Sequence, residues 1–118
     1  MDKGSNIKDE ENELLHLTSR VEKIKEYVLD NLASDLGIMG VSEKFELSVS
    51  TLRHIFKKHV GESYGQYVER QRMIKAIRLL KKGKWVKEVI AMTGYKNRGT
   101  FNNAFKKRFK FPASHFKK

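Results

Sequence analysis

The chain has 118 residues, 39% of them apolar, and a formal net charge of +11. That length supports one domain or two very small ones sharing an element. No stretch approaches the roughly 18 apolar residues of a membrane span, and the lack of cysteine excludes a disulfide scaffold or a Cys-ligated zinc site and fits a cytoplasmic protein.

The charge is segregated. Residues 1–35 carry nine acidic and five basic side chains, net −4; residues 36–118 carry five acidic and twenty basic, net +15. High charge also serves solubility, but solubility does not explain this separation. A polyanionic partner does, nucleic acid first and an anionic membrane surface second.

The N-terminal "MDKGSNIKDEENELL" has no apolar secretion core. Residues 1–12 are polar and acidic and read as disordered, so residues 1–15 form an acidic, flexible segment. The first helix is expected over His16–Ala33, where Leu17, Val21, Ile24, Val28 and Leu32 recur with a helical period. Gly37 is a stop for it. A short helix follows at Ile38–Phe45. Ser48 or Ser50 caps a third helix that runs to about His59, buries Leu52, Ile55 and Phe56, and ends at Gly61.

Ser63–Lys82 reads as one long helix, capped by Ser63 and closed by Gly83. Its apolar face is broad (Tyr64, Val68, Met73, Ile77 and Leu80, with Ile74, Ala76 and Leu79 beside them), so it packs on two sides. A short helix at Val86–Thr93, the turn "GYKN", a sixth helix to about Lys110, and a last helical turn from Pro112 complete the chain. The fold class is all-α, with about seven helices.

An internal repeat organises these elements. "TLRHIFKKHV" at 51–60 matches "TFNNAFKKRF" at 100–109 at an offset of 49: Thr51 falls on Thr100, Phe56 on Phe105, and Lys57–Lys58 on Lys106–Lys107. Upstream the offset is 48, pairing Ile38 with Val86 and Val41 with Val89, so the second copy has gained one residue in its turn. Two helix-turn-helix units, 16–62 and 84–118, are thus joined by a linker helix at 63–83.

A helix-turn-helix lays its second helix in the DNA major groove. With Phe101, Ala104, Phe105 and Phe109 inward, the sixth helix shows Gly99, Asn103, Lys106 and Lys110 outward, flanked by Asn102 and Lys107, with Arg98 and Thr100 leading. The third helix shows Ser50, His54 and Lys57, flanked by Thr51, Arg53 and Lys58. Asn bonds an adenine edge bidentately and Arg a guanine edge. Lysines meet phosphates, which position without specifying. Gly99 allows either a closer approach of the backbone or simply one contact fewer, and His54 is either a DNA donor or a solvated surface histidine. A linker helix of about 20 residues is about 30 Å long, and one DNA turn is about 34 Å. Two reading helices therefore match successive major-groove segments on one face, with some bending of the duplex.

Residues 17–118 resemble the DNA-binding domain of the AraC/XylS family of bacterial transcription regulators. The resemblance lies in "LSVSTLRHIFKKHVG", "YVERQRMIKAIRLL", "VKEVIAMTGY" and "TFNNAFKKRFKF". It implies seven helices, two bridged helix-turn-helix units and sequence-specific promoter binding, usually with activation. Its base-contact positions carry over to Ser50, Arg53, His54, Arg98, Gly99, Thr100, Asn102 and Asn103. Phosphate contacts fall to Thr51, Lys57, Lys58, Lys106, Lys107 and Lys110. Five positions depart from the family pattern. Ser42 and Ile90 replace a small Ala, and Ile90 implies looser or shifted packing. Glu46 replaces a turn glycine, which implies strain or a reshaped turn. Lys110 replaces a frequent glycine. Ala113 replaces a frequent proline, with Pro112 one place early.

No carboxylate pair, Ser/His/Asp set or phosphate loop points to an enzyme. His16, His54, His59 and His115 are scattered and read as surface residues, and no metal or cofactor is expected. The expected partner is double-stranded DNA at a promoter or operator, with RNA polymerase as a second candidate and no membrane. The competing reading is a module that binds nucleic acid or anionic surfaces by charge alone.

Overall fold

The structure is a computed structural model that describes residues 3–116. Six α-helices and a 3-10 turn make up its regular structure, with no strand among the described residues: α1 Lys3–Asp30, α2 Ile38–Lys44, α3 Val49–His59, α4 Tyr64–Lys81, α5 Val86–Met92 and α6 Arg98–Phe109, then the turn Ala113–His115. The molecule is elongated, 67 × 23 × 20 Å.

Two expectations fail at the N-terminus. Helix α1 starts at Lys3 rather than His16, so most of the segment read as disordered is helical; Met1 and Asp2 lie outside the described residues. Polarity removes a reason to bury this stretch but not its helix propensity, because Lys, Glu and Leu are good helix formers and neither Gly nor Pro interrupts residues 5–30. The helix also ends early, at Asp30, and Asn31 Nδ2 donates to the Tyr27 carbonyl at 2.8 Å to close it. Gly37 is therefore not its stop. It stands at the N-cap of α2, with its N–H donated to Asp35 Oδ1 at 2.9 Å.

The caps follow local chemistry. Ser48 Oγ accepts from the Thr51 N–H at 3.1 Å and opens α3. Ser63 and Gln66 form a reciprocal capping box at α4, with bonds of 3.2 and 3.1 Å. Asn97 Oδ1 accepts from the Thr100 N–H at 2.8 Å and opens α6.

Helix α4 serves two cores, divided along its length rather than around its circumference. Tyr64, Tyr67 and Val68 pack with Val21, Ile24, Val28, Leu52, Ile55 and Phe56. Met73, Ala76, Leu79 and Leu80 pack with Val89, Ile90, Phe101, Ala104 and Phe105. Tyr67, absent from the expected apolar face, is 2% exposed. The rings of Tyr64 and Tyr67 both meet Phe56 edge-on, at 5.3 and 5.5 Å between centroids.

The repeat survives in three dimensions. The Leu47 N–H donates to the Ser42 carbonyl at 2.9 Å, and its counterpart Tyr95 donates to Ile90 at 3.1 Å. Ser48 and Asn97 are both N-caps. The residue gained by the second copy is therefore Lys96, between Tyr95 and Asn97. Ile90 is buried and keeps the turn's hydrogen bond, so its bulk leaves the bonding of that turn unchanged. Glu46 and Lys110 stand at positive φ, 56° and 71°, where the resemblance implied glycine.

Candidate nucleic-acid interface

Helices α3 and α6 each bury one side and leave a polar one. On α3 the apolar side is Leu52, Ile55 and Phe56, all at 1% exposure or less. Opposite it, Ser50, Arg53, His54, Lys57 and Lys58 are exposed. Thr51 is only half-buried and belongs to the cap, its Oγ1 accepting from Ser48 Oγ at 2.8 Å. On α6, Phe101, Ala104 and Phe105 are buried, while Arg98, Gly99, Thr100, Asn103, Lys106 and Lys107 are exposed and Asn102 is half-buried; Lys110, the C-cap, is exposed as well. A Cβ built on Gly99 would find its nearest neighbour, Asn97 Oδ1, at 3.5 Å, so packing does not demand glycine there.

Among the described residues the ion pairs join Lys25 to Glu22 and Arg70 to Glu62, away from both faces. The cations of α3 and α6 thus form no ion pair among the described residues, although Asp35 and Glu69 line the same groove as Arg53 and Lys57, and they remain available to a polyanion.

A groove of about 1140 Å³ lies between the two units. Arg53 and Lys57 of α3 line one side, and Lys96, Asn97 and Thr100 at the head of α6 line the other, over Tyr64, Val68 and Tyr95. Burial pushes the phenols of Tyr64 and Tyr95 above the usual tyrosine range, and Tyr64 Oη donates to the Leu36 carbonyl at 2.7 Å. The structure therefore brings Arg53, Lys57 and Thr100 around one groove. Arg98 lines a separate cavity of about 660 Å³ with Trp85, Glu88 and Ser114. Neither lining includes Ser50, His54, Lys58, Gly99, Asn102, Asn103, Lys106, Lys107 or Lys110.

Lys96 was missed by sequence reasoning. The signal was available, since it is the extra residue of the second turn, but an unpaired position has no counterpart in the first copy to mark it. His59 corrects another expectation. It is half-buried at the end of α3 rather than fully on the surface, and its Nε2 has no hydrogen-bond partner. His16, His54 and His115 are exposed.

The family model described as a helix-turn-helix domain matches residues 41–118. The chain belongs to the AraC/XylS family, as its DNA-binding domain. It is similar to the multiple antibiotic resistance protein MarA of Escherichia coli K12, 30% identical over 93 residues that span 78% of this chain and 73% of MarA. Its fold is that of the C-terminal domain of AraT, a response regulator from Geobacillus stearothermophilus, with a TM-score of 0.79, 25% identity and 82% of each chain covered. The DNA-binding domain of AdpA, solved with a target DNA, shares the fold at a TM-score of 0.76 and 19% identity, over 80% of this chain and 86% of that one. The AraC-type two-unit helical fold and membership in a family of DNA-binding transcription regulators are thereby established for this chain.

Proposed function

We propose that the protein is a sequence-specific regulator that activates transcription by setting α3 and α6 into successive major-groove segments of double-stranded DNA. The observation that carries this reading is the pairing of two helices, each with an exposed cationic face free of ion pairs among the described residues, on one linker helix. Helix α4, with 18 residues, is about 27 Å long, close to the roughly 34 Å of a duplex turn. Residues 16–62 and 84–118 act as the two reading units, on the linker 63–83. Ser50, Arg53, His54, Arg98, Gly99, Thr100, Asn102 and Asn103 meet base edges. Thr51, Lys57, Lys58, Lys106, Lys107 and Lys110 meet phosphates, joined by Lys96. The activator role follows the family's usual mode and adds RNA polymerase as a partner. The protein carries no catalytic chemistry in this reading and works in the cytoplasm, at the nucleoid.

Selection from random duplexes followed by footprinting tests this. The expected result is one consensus of two adjacent major-groove segments, bound at least roughly 10³-fold better than bulk DNA at physiological salt. The segregated charge favours a second reading, in which binding runs through phosphates alone. That reading predicts a steep salt dependence with no consensus.

A further inference from the structure

Two reading helices can select a spacing only if something holds them at a fixed separation. The cores of the two units are separate and are joined through α4, which contributes residues to both. The side chain of Arg72 reaches from one unit to the other. Arg72, midway along α4, donates from Nε to the Leu32 carbonyl at 3.2 Å and from a terminal guanidinium nitrogen to the Ser34 carbonyl at 2.8 Å. Both carbonyls belong to the segment that leaves α1 in the first unit. The other face of the guanidinium lies over the ring of Tyr95 in the α5–α6 turn, 5.7 Å from its centroid. Tyr95 in turn meets Phe101 of α6 edge-on at 5.5 Å.

The neighbouring backbone closes the contact. A Cβ on Gly94 would stand 2.3 Å from the Leu32 carbonyl oxygen and 2.8 Å from the Arg72 guanidinium. The turn that launches α6 therefore rests directly on the first unit, and Arg72 is wedged into the seam. A guanidinium can do this because its rigid fork bonds two carbonyls while its face stacks on an aromatic ring; a lysine ammonium has neither the planar fork nor a face to stack, and holds such a geometry less firmly.

We infer that Arg72 is the positioning residue that fixes the separation of α3 and α6, and with it the operator spacing the protein accepts. This rests on the reading of α3 and α6 as two DNA-reading helices. Moving the two half-elements apart by one base pair shifts them by about 3.4 Å along the axis and by about 35° around it. A rigid pair of helices then loses base contacts; a hinged pair follows.

The experiment has two arms. In the first, spin labels on cysteines introduced at Met39 and Lys87, in a chain that has no cysteine of its own, report the distance between the units in free protein. Native Arg72 should give one narrow distribution, and Arg72→Gln and Arg72→Lys broad ones, with helical circular dichroism retained. Distributions of equal width overturn the inference. The second arm uses the duplex obtained by selection, with its half-elements moved by one and two base pairs. Native protein should lose at least about 10-fold in affinity per step, the scale of one mismatched contact, and Arg72→Lys clearly less. Equal losses overturn the inference, and so does native behaviour in Arg72→Lys, which would make charge rather than the fork the cause. If selection yields no consensus, the regulator reading fails, and the distances in free protein still decide whether Arg72 holds the two units together.

Discussion

Glu46 and Gly94 occupy the same place in the two copies of the repeat and share a left-handed backbone, with φ of 56° and 83°. Their surroundings differ. Glu46 is exposed, whereas a side chain at Gly94 would drive into the Leu32 carbonyl and Arg72. The glycine requirement is conformational in the first turn and steric as well in the second. Glu46→Gly should therefore stabilise the protein by about 0.5–1 kcal/mol, the relief of left-handed strain less the added freedom of the unfolded chain. Gly94→Ala should destabilise it by at least about 2 kcal/mol, since the clash is with backbone. Urea unfolding reads both as shifts in midpoint at constant slope. Equal effects at the two positions would show that the neighbours of Gly94 do not matter.

Gly99 poses the opposite case. It sits in the first turn of α6 with helical backbone, and a Cβ there would meet Asn97 Oδ1 at an ordinary contact distance of 3.5 Å. Gly99→Ala should raise stability by up to about 1 kcal/mol, the helix-propensity difference. If the backbone at Gly99 closely approaches a base or phosphate, the same variant loses affinity for its target despite being more stable. A gain in stability with unchanged binding would assign Gly99 no role at the interface.

Elements that repeat or alternate locally were readable from the chain. Phe56 and Phe105 mark the two cores because each lies on a 3.6-residue apolar stripe, and Ser48, Ser63 and Gly83 punctuate helices by their own chemistry. The resemblance to the AraC/XylS family added the base-contact positions, and it flagged Glu46 and Lys110, whose positive φ then appeared. Contacts between distant segments were not readable. Arg72 meets Leu32 across 40 residues and Ser34 across 38, and nothing in its local pattern distinguishes it from Arg70, which pairs with Glu62. Tyr67 was passed over because its polar hydroxyl hides how much ring it buries. The length of α1 was missed because polarity was taken for disorder.

The reading residues divide by what each can contact. Arg53 and Asn103 are exposed on different helices and can each form bidentate bonds to a base edge. Arg53→Ala and Asn103→Ala should each relax preference at separate base positions, about one helical turn apart, at about 1–3 kcal/mol per position. Lys107→Ala should weaken all duplexes alike and reduce the salt slope by about one phosphate contact. Binding assays on a mismatch library at two salt concentrations separate the cases. Equal, sequence-blind losses from all three variants would sink these roles.

Alkaline pH probes the first core through Tyr64. The residue is 3% exposed, its hydroxyl donates to the Leu36 carbonyl at 2.7 Å, and burial, the largest cause, raises its pKa well above the ordinary value. The neutral phenol is thus favoured by folding. Above about pH 10 the unfolded chain releases this proton while the folded protein keeps it. The unfolded state then binds fewer protons, so stability, fully present below pH 10, falls as pH rises toward the folded pKa. Tyr67 and Tyr95 are shifted the same way, also chiefly by burial, and add to the slope. Tyr64→Phe should cost about 1 kcal/mol at neutral pH by leaving the Leu36 carbonyl without its donor. The same variant should flatten the loss of stability between pH 10 and 11 relative to native protein. Urea unfolding across that range compares the two slopes, and identical slopes would remove Tyr64 as a source of the alkaline transition.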